Sequence, residues 1–285
     1  MLGPGCRAST MLVALLLVGG SVLLWARFCE PRLLTVTRTE IVLPHLAPEL
    51  DGTRLVLISD LHGAAFGPQQ ELLGRAVAAQ NPQAIVFAGD LVDANRGGVR
   101  AGIELLAAMA AIAPTFLVWG NHDYLVGVPD LRREIATSGL VVHDLDQGWA
   151  ALELEGGSLI MCGLAMSWRN GGEGLAEQAQ AARAALGQAV PLVVVAHSPG
   201  PKALAKAAAG GADLFLAGHT HGGQIRLPLL GALWSPVDGY LPGQAHGLDR
   251  LETGWSYVTR GLGTSVLPMR LLCPPEIAVL TLRRL

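Results

Sequence analysis

The sequence predicts an α/β domain that follows one membrane-spanning helix. Short apolar segments alternate with amphipathic segments along most of the chain, and residues 8–26 form an uncharged apolar run. The chain has 285 residues, of which 51% are apolar and 15% are charged. This length suits one large α/β domain or two small ones. The composition excludes a disordered chain and indicates contact with a membrane.

The uncharged run between Arg7 and Arg27 has nearly the length, roughly 20 residues, needed to cross a bilayer. A cleaved signal peptide is the alternative, but no clear small-x-small cleavage site follows the run. Three arginines follow it, at 27, 32 and 38, so the positive-inside rule favours a cytoplasmic domain. We expect a tail at 1–7, a transmembrane helix acting as signal anchor at 8–26, a linker at 27–41 and a single domain at 42–285.

Repeated strand and helix segments fill the region after the linker. Buried strands are predicted at 54–59, 84–88, 115–119, 192–196 and 213–217. Amphipathic helices are predicted at 69–79, 102–111, 129–138, 174–186 and 201–209. Shorter stretches in which apolar and polar residues alternate indicate further strands that pair antiparallel with the others, at 150–155, 158–162, 256–259 and 276–282. No repeat of fixed period is visible, so the sequence indicates one domain.

Charge and cysteine content exclude two classes of protein. The net charge is -3, so the chain has no overall positive field to hold a nucleic-acid backbone, and we expect no nucleic-acid partner. The four cysteines, at 6, 29, 162 and 273, show neither a CxxC pair nor a zinc-finger spacing. We expect them to be unpaired.

A polar cluster follows each of the five strongest predicted strands. The clusters are Asp60-Leu61-His62, Gly89-Asp90, Gly120-Asn121-His122-Asp123, His197 and Gly218-His219-Thr220-His221. In an open α/β sheet the ligand crevice lies beyond the carboxyl ends of the strands, so these clusters can converge on one site. Five of the eight histidines belong to them. Each alone is typical of a core histidine, whereas their joint placement favours a metal site.

The side chains of these clusters are metal ligands of mixed type. Asp60 and His62 are two apart on a segment predicted to be extended, so they would point the same way. Asp90 can bridge two ions with its two oxygens, and Asn121 offers an amide oxygen. Imidazole nitrogens come from His197, His219 and His221. Such a set suits Mn, Zn or Fe better than Ca or Mg, and two ions sharing Asp90 would lie roughly 3.5 to 4 Å apart.

The ordered motifs DLH, GD, GNHD, H and GHTH resemble the calcineurin-like metallophosphoesterase superfamily. The longer segments SDLH, GDLVD, GNHDY and GHTHGGQIRLP resemble its bacterial membrane-anchored branch. The resemblance implies a sandwich of two mixed sheets with helices on both outer faces. It also implies two metal ions, one bound by Asp60, His62, Asp90 and His221 and the other by Asp90, Asn121, His197 and His219. His122 is then free to act on the substrate, with Asp123 as an orienting partner for its ring.

We therefore expect a single-pass protein of the bacterial inner membrane that hydrolyses a phosphoester or pyrophosphate bond by metal-activated water. The membrane-anchored branch includes enzymes that hydrolyse UDP-2,3-diacylglucosamine in lipid A synthesis, so a lipid-linked phosphate is the expected substrate. Acyl chains could lie along Trp234, Tyr240 and Leu241. The rivals are a non-catalytic metal-binding protein, a phosphatase or phosphodiesterase for another envelope substrate, and a nuclease, which the absence of a basic patch disfavours.

Two assignments have competing structural explanations. Asp93 in GDLVD is either a partner of the metal ligands or, as we favour, the cap of the following helix. Trp234, Tyr240 and Trp255 either pack the core, which we favour, or line an apolar groove for the substrate.

Overall fold

Two six-stranded mixed sheets form the centre of the protein. The structure is a computed structural model that describes residues 4–63, 68–93, 98–166, 174–237 and 245–285. The first sheet contains β1 Thr35–Leu43, β2 Arg54–Ile58, β3 Ala84–Ala88, β4 Thr115–Val118, β5 His143–Asp144 and β14 Glu276–Arg284. Its strand order is β1-β14-β2-β3-β4-β5. Strands β2 to β5 run parallel, so the residues that follow β2, β3 and β4 share one edge.

The second sheet contains β6 Trp149–Leu154, β7 Gly157–Leu164, β8 Leu192–Ala196, β9 Leu214–Ala217, β12 Gly247–Arg250 and β13 Trp255–Val258. Its order is β12-β13-β9-β8-β7-β6. The four central strands run parallel, and the two edge strands pair antiparallel with their neighbours. A separate two-stranded ribbon pairs β10 Arg226–Leu227 with β11 Gly231–Ala232.

Seven α-helices complete the described part of the chain. They are α1 Pro4–Leu24, α2 Pro68–Ala78, α3 Val99–Ala110, α4 Asn121–Val126, α5 Val128–Thr137, α6 Leu175–Leu186 and α7 Pro201–Ala209. Because strand side chains alternate between faces, each sheet packs on two layers. Leu57 and Val193 belong to the core between the sheets, while Val56 packs towards α2, α3 and α5. Val194 packs towards α6 and α7. The predicted sandwich with helices on both outer faces is confirmed.

Helix α1 continues as a π-helical turn, Trp25–Cys29, and a 3-10 turn, Glu30–Arg32. The segment Met11–Arg32 is long and apolar enough to cross a membrane, and only 6% of its 18-residue apolar window is buried. Its last turns contact the domain, because Ala26 and Glu30 are buried. The predicted apolar helix near the N-terminus is therefore present, and the turns that follow it pack against the domain.

The largest difference from the sequence prediction is strand β1, which lies mostly within the predicted linker. It pairs with β14 along its whole length, from Thr35 to Leu43. As an edge strand it carries charged and half-exposed side chains such as Arg38 and Glu40, so its apolar alternation is weak. The predicted antiparallel pairing is present on one side only of β7, β13 and β14, because each of these strands pairs antiparallel with one neighbour and parallel with the other.

Three of the four cysteines, at 29, 162 and 273, are free thiols as expected. The side chain of Cys6 lies outside the described part of the chain.

Candidate metal centre

Five loops bring the polar clusters together at one edge of the sandwich. The loops after β2, β3 and β4 come from the first sheet, and those after β8 and β9 from the second. Backbone hydrogen bonds join them: Asp60 N donates to Gly89 O at 2.9 Å, and His62 N donates to Asp90 O at 3.0 Å. Since the strands within each sheet are parallel here, their carboxyl ends meet and the clusters converge as predicted.

The backbone is left-handed at five of the clustered residues. They are Asp60, His62, Asp90, His219 and His221, with φ between 50° and 67°. We had expected the segment from Asp60 to His62 to be extended, and this is wrong. Both side chains nevertheless face the site. Positive φ is sparsely populated for residues other than glycine and persists where the surroundings enforce it, often at functional sites. The bonds between the loops enforce it here.

The first group of possible metal ligands consists of Asp60, His62 and His221, all buried. The two Nε2 atoms of His62 and His221 lie 3.0 Å apart, and His221 Nε2 lies 3.5 Å from Asp60 Oδ1. Two imidazole nitrogens at this distance repel each other through their lone pairs unless one carries a proton or both face a cation. This donor set fits a transition-metal ion.

The second group consists of Asp90, His197 and His219, with Asn121 beside it. His197 Nε2 lies 3.0 Å from His219 Nδ1, 3.1 Å from Asn121 Oδ1 and 3.3 Å from Asp90 Oδ2. The same Asp90 Oδ2 lies 3.7 Å from His62 Nε2 in the first group. One carboxylate oxygen thus lies between the two groups, which is the position a bridging ligand requires.

The ring of His197 is oriented by a backbone carbonyl. Its Nδ1 lies 2.8 Å from Ala88 O, so the N–H donates there and Nε2 points into the site. The Nδ1 atoms of His62 and His221 are buried and find no hydrogen-bond partner among the described residues. His62 Nδ1 faces Asp93 Oδ2 at 3.7 Å.

Burial keeps three of these histidines neutral. It lowers the pKa of His62 to about 4 and that of His219 to about 3, and it lowers the pKa of His221 well below its usual value. Burial also raises the pKa of the Asp60 carboxyl to about 6. Neutral imidazoles are the form that binds metals, so these rings need lose no proton at neutral pH.

Asp90 and His197 behave as an ion pair. Burial opposes both charges, but the imidazolium of His197 lowers the pKa of Asp90 overall. Likewise, burial opposes protonation of His197, but the Asp90 carboxylate raises its pKa to about 10. An ion would have to displace the proton of His197 to bind there.

His122 lies beside the first group and faces the adjacent cavity. Its ring centroid is 4.6 Å from that of His62, and its side chain is 17% exposed. The expected orienting partner, Asp123, serves the backbone instead: its two carboxylate oxygens accept N–H bonds from Gly120 at 2.9 Å and Val92 at 3.0 Å. This bonding caps α4, and burial raises the pKa of Asp123 to about 7.

Asp93 takes the place that we expected for Asp123. Its carboxylate lies 3.7 Å from His62 Nδ1 and 4.0 Å from His122 Nδ1, and it is buried. The favoured interpretation as a helix cap is wrong, because the N-cap of α3 is Gly98.

Sequence reasoning missed Arg270, a fully buried arginine that supports the site. Its guanidinium donates to the carbonyls of residues 260, 261, 263 and 273. Gly263 N in turn donates to Asp60 O at 2.7 Å. Arg270 therefore fixes the loop that holds the Asp60 backbone, and no local pattern marks it.

A cavity of about 530 Å³ opens in front of both groups. Asp90, Asn121, His122 and His219 contribute to its polar lining, and its apolar lining includes Ile225, Leu233, Trp234, Val266 and Leu267. Trp234 thus lines the groove rather than the core. Trp255 packs against the core and donates from Nε1 to Val42 O at 3.0 Å. Tyr240 and Leu241 lie outside the described residues.

Residues 53–223 match the family model described as calcineurin-like phosphoesterase. The chain is 29% identical over 264 residues to the uncharacterized metallophosphoesterase YkuE of Bacillus subtilis, covering 91% of this chain and 89% of that protein. It is 30% identical over 267 residues to the phosphodiesterase YaeI of Escherichia coli, covering 90% and 92%. A transmembrane protein with metallophosphoesterase domain from Bos taurus is 28% identical, covering 87% of this chain and 57% of that protein.

Two further similarities are narrower. UDP-2,3-diacylglucosamine pyrophosphatase LpxG of Chlamydia muridarum is 36% identical over 120 residues, covering 40% of this chain and 36% of that protein. Among solved structures, TT1561 of Thermus thermophilus has a TM-score of 0.51 at 14% identity, covering 74% of this chain and 90% of that chain. The structural similarity supports the fold alone.

Proposed function

Because the chain belongs to the calcineurin-like phosphoesterase family, a family of metal-dependent phosphoester hydrolases, we propose that it acts through two ions that share Asp90. The first ion would be held by Asp60, His62, Asp90 and His221, and the second by Asp90, Asn121, His197 and His219. The observation that carries this proposal is the position of Asp90 Oδ2, 3.7 Å from His62 Nε2 and 3.3 Å from His197 Nε2. The mixed nitrogen and oxygen donors suit Mn, Zn or Fe.

The two ions, when bound, supply an activated water and neutralise charge on the phosphoryl oxygens. The protein supplies the rest. His122 lines the cavity and lies 4.0 Å from the Asp93 carboxylate, so its ring can hold a proton for the leaving oxygen. Asp123 holds the turn that carries Asn121 and His122 by accepting two backbone N–H bonds.

A lipid-linked phosphoester or pyrophosphate is the proposed substrate class. The polar side of the cavity would take the phosphoryl group, and its apolar wall around Leu233, Trp234 and Val266 would take acyl chains. The segment Met11–Arg32 would keep the site at a membrane, and the three following arginines favour the cytoplasmic face of the inner membrane. The similarity to LpxG supports UDP-2,3-diacylglucosamine as the first substrate to test.

A phosphodiesterase for another envelope substrate is the second candidate. The observation in its favour is the share of this chain that is aligned. The similarity to the phosphodiesterase YaeI extends over 90% of the chain, whereas the similarity to LpxG covers 40%.

An assay of the full chain in vesicles separates these candidates. UMP release from UDP-2,3-diacylglucosamine is compared with release from UDP-N-acetylglucosamine and with hydrolysis of bis-p-nitrophenyl phosphate. Rapid release from the acylated substrate alone supports the pyrophosphatase. Equal release from both nucleotide sugars, or hydrolysis of the aryl diester alone, contradicts the lipid-linked assignment. The Asp90→Asn variant controls for contaminating hydrolases.

A further inference from the structure

The ribbon formed by β10 and β11 presents an apolar tip to solvent. Leu229 at the tip is fully exposed and adopts a positive φ of 65°, and Leu230 is 67% exposed. The sequence from Leu227 to Val237 contains no charged residue. Large exposed apolar surfaces of this kind mark interaction sites in folded proteins.

A chain of backbone hydrogen bonds links this ribbon to the end of the membrane helix. Arg270 N donates to Ala26 O at 2.9 Å, and the adjacent Leu271 pairs with the segment at Gln224 and Arg226 through bonds of 3.0 and 2.9 Å. That segment continues into β10, which pairs with β11. Each paired step spans about 5 Å, so Arg226, the first residue of β10, lies within about 15 Å of Ala26.

The end of the helix is fixed to the domain. The buried Glu30 carboxylate accepts hydrogen bonds from the backbone N–H of Cys273 and from Trp25 Nε1. Trp25 and Phe28 are exposed on the same turns, where aromatic side chains mark the boundary between bilayer and water. Segment 270–273 therefore contacts both the end of the anchor and the strand that leads into the ribbon.

We propose that the Leu229–Leu230 tip inserts into the interfacial layer of the bilayer that helix α1 enters. The lipid surface is the occupant of this apolar patch because backbone hydrogen bonds through segment 270–273 hold the ribbon beside the end of the membrane helix, and because the tip lacks charge. Leu233 and Trp234 follow the ribbon directly and line the catalytic cavity. The insertion would turn the mouth of the cavity towards the membrane, so that a lipid-borne phosphoester reaches it without leaving the bilayer.

The first test measures the depth of the tip and does not depend on catalysis. Leu230→Cys in the full chain is labelled with bimane and reconstituted in vesicles of phosphatidylethanolamine and phosphatidylglycerol. Doxyl-labelled lipid should quench this label, and aqueous iodide should not. Val141→Cys is the matched control, since Val141 is 80% exposed and precedes β5 at the edge away from the site. The parental chain, labelled in parallel, gives the background from native cysteines.

Equal iodide quenching at the two positions would overturn the proposal. A label that neither iodide nor doxyl-labelled lipid quenches would also overturn it, because a second copy of the chain would then cover the tip.

The second test rests on the proposed phosphoesterase function. The double substitution Leu229→Asp and Leu230→Asp should lower hydrolysis of UDP-2,3-diacylglucosamine embedded in vesicles by about 10-fold or more, because two leucines no longer insert. Hydrolysis of the same substrate dispersed in detergent should stay within about two-fold, as should both rates in Val141→Asp. Equal loss in vesicles and in detergent would contradict the orienting role, whereas a parental chain without activity in either would instead contradict the proposed function.

Discussion

The Nε2 atom of His197 lies 3.3 Å from Oδ2 of Asp90, inside a site where both side chains are buried. Burial opposes protonation of His197, but the Asp90 carboxylate outweighs it and raises the pKa of this imidazole to about 10. The proton on Nε2 occupies the direction in which His197 would bind an ion. Metal binding and protonation therefore compete at this ring.

The first prediction is that metal binding at pH 7 to 8 releases a proton from His197. A group with a raised pKa is protonated up to about pH 10, so affinity for the ions should rise with pH across this range and fall as pH drops. Below about pH 6, Asp60 adds a second released proton, because its pKa is raised to about 6. Calorimetry of Mn²⁺ binding in buffers of different ionisation enthalpy measures the released protons. Binding heats that do not depend on the buffer would contradict the prediction.

The second prediction concerns His122. Because its ring faces the cavity beside the metal groups, His122→Ala should keep the bound ions and lose turnover by roughly 10² to 10⁴-fold, the range of general acid–base groups. Metal analysis and steady-state kinetics on the same preparation check both halves. Loss of the ions in this variant would show that His122 is a ligand.

The third prediction separates Asp93 from Asp123. Asp93→Asn should retain the fold but shift the pH dependence of turnover, because Asp93 faces the rings of His62 and His122. Asp123→Asn should lower stability instead, since an amide N–H₂ would face one of two backbone N–H donors, at a cost of about 1 to 3 kcal/mol. Thermal unfolding measures the stability of both variants, and pH profiles of turnover show which carboxylate acts on the rings. A pH shift in Asp123→Asn with unchanged stability would reverse the two roles.

The fourth prediction concerns Arg270. Arg270→Met removes the donor to four carbonyls, three of them in fully buried bonds, and should destabilise the protein by about 3 kcal/mol or more, with loss of metal affinity through the Asp60 loop. Arg283→Met is the matched control, because Arg283 pairs with Glu40 and Asp51 at the surface. Surface pairs contribute little, so its unfolding midpoint should barely move. Similar midpoints for the two variants would contradict the supporting role of Arg270.

The fifth prediction follows from the apolar segment Met11–Arg32. The full-length protein should fractionate with membranes and resist extraction by high salt and carbonate, because an apolar span of this length is retained by the bilayer. Immunoblots of the fractions measure this. A shortened protein in the soluble fraction would support a cleaved signal peptide.

The site could be predicted from sequence because its ligands follow buried parallel strands. Asp60, Asp90 and His197 each come directly after an apolar run, and parallel strands place such residues at one edge. The local chain conformation could not be predicted: the left-handed backbone of Asp60 and His62 depends on bonds to the loop after β3.

Other features escaped prediction because they depend on distant contacts. Strand β1 was assigned to a linker, since its register is set by β14, some 240 residues further along the chain. Arg270 is buried by loops that no periodicity describes, and the exposure of Trp234 depends on the ribbon beside it. The sequence favoured a helix cap for Asp93 and a place beside the ring of His122 for Asp123, and only the packed structure shows that Asp93 faces the ring and Asp123 caps α4.

The most direct test of the shared bridging position of Asp90 is the metal content of the purified full-length protein and of two variants. The account predicts close to two transition-metal ions per chain, loss of both ions together in Asp90→Asn, and retention of both in Asp93→Asn, whose side chain faces the rings rather than the shared position. A fully active protein with one ion or none, or an Asp90→Asn variant that keeps two ions, would contradict it.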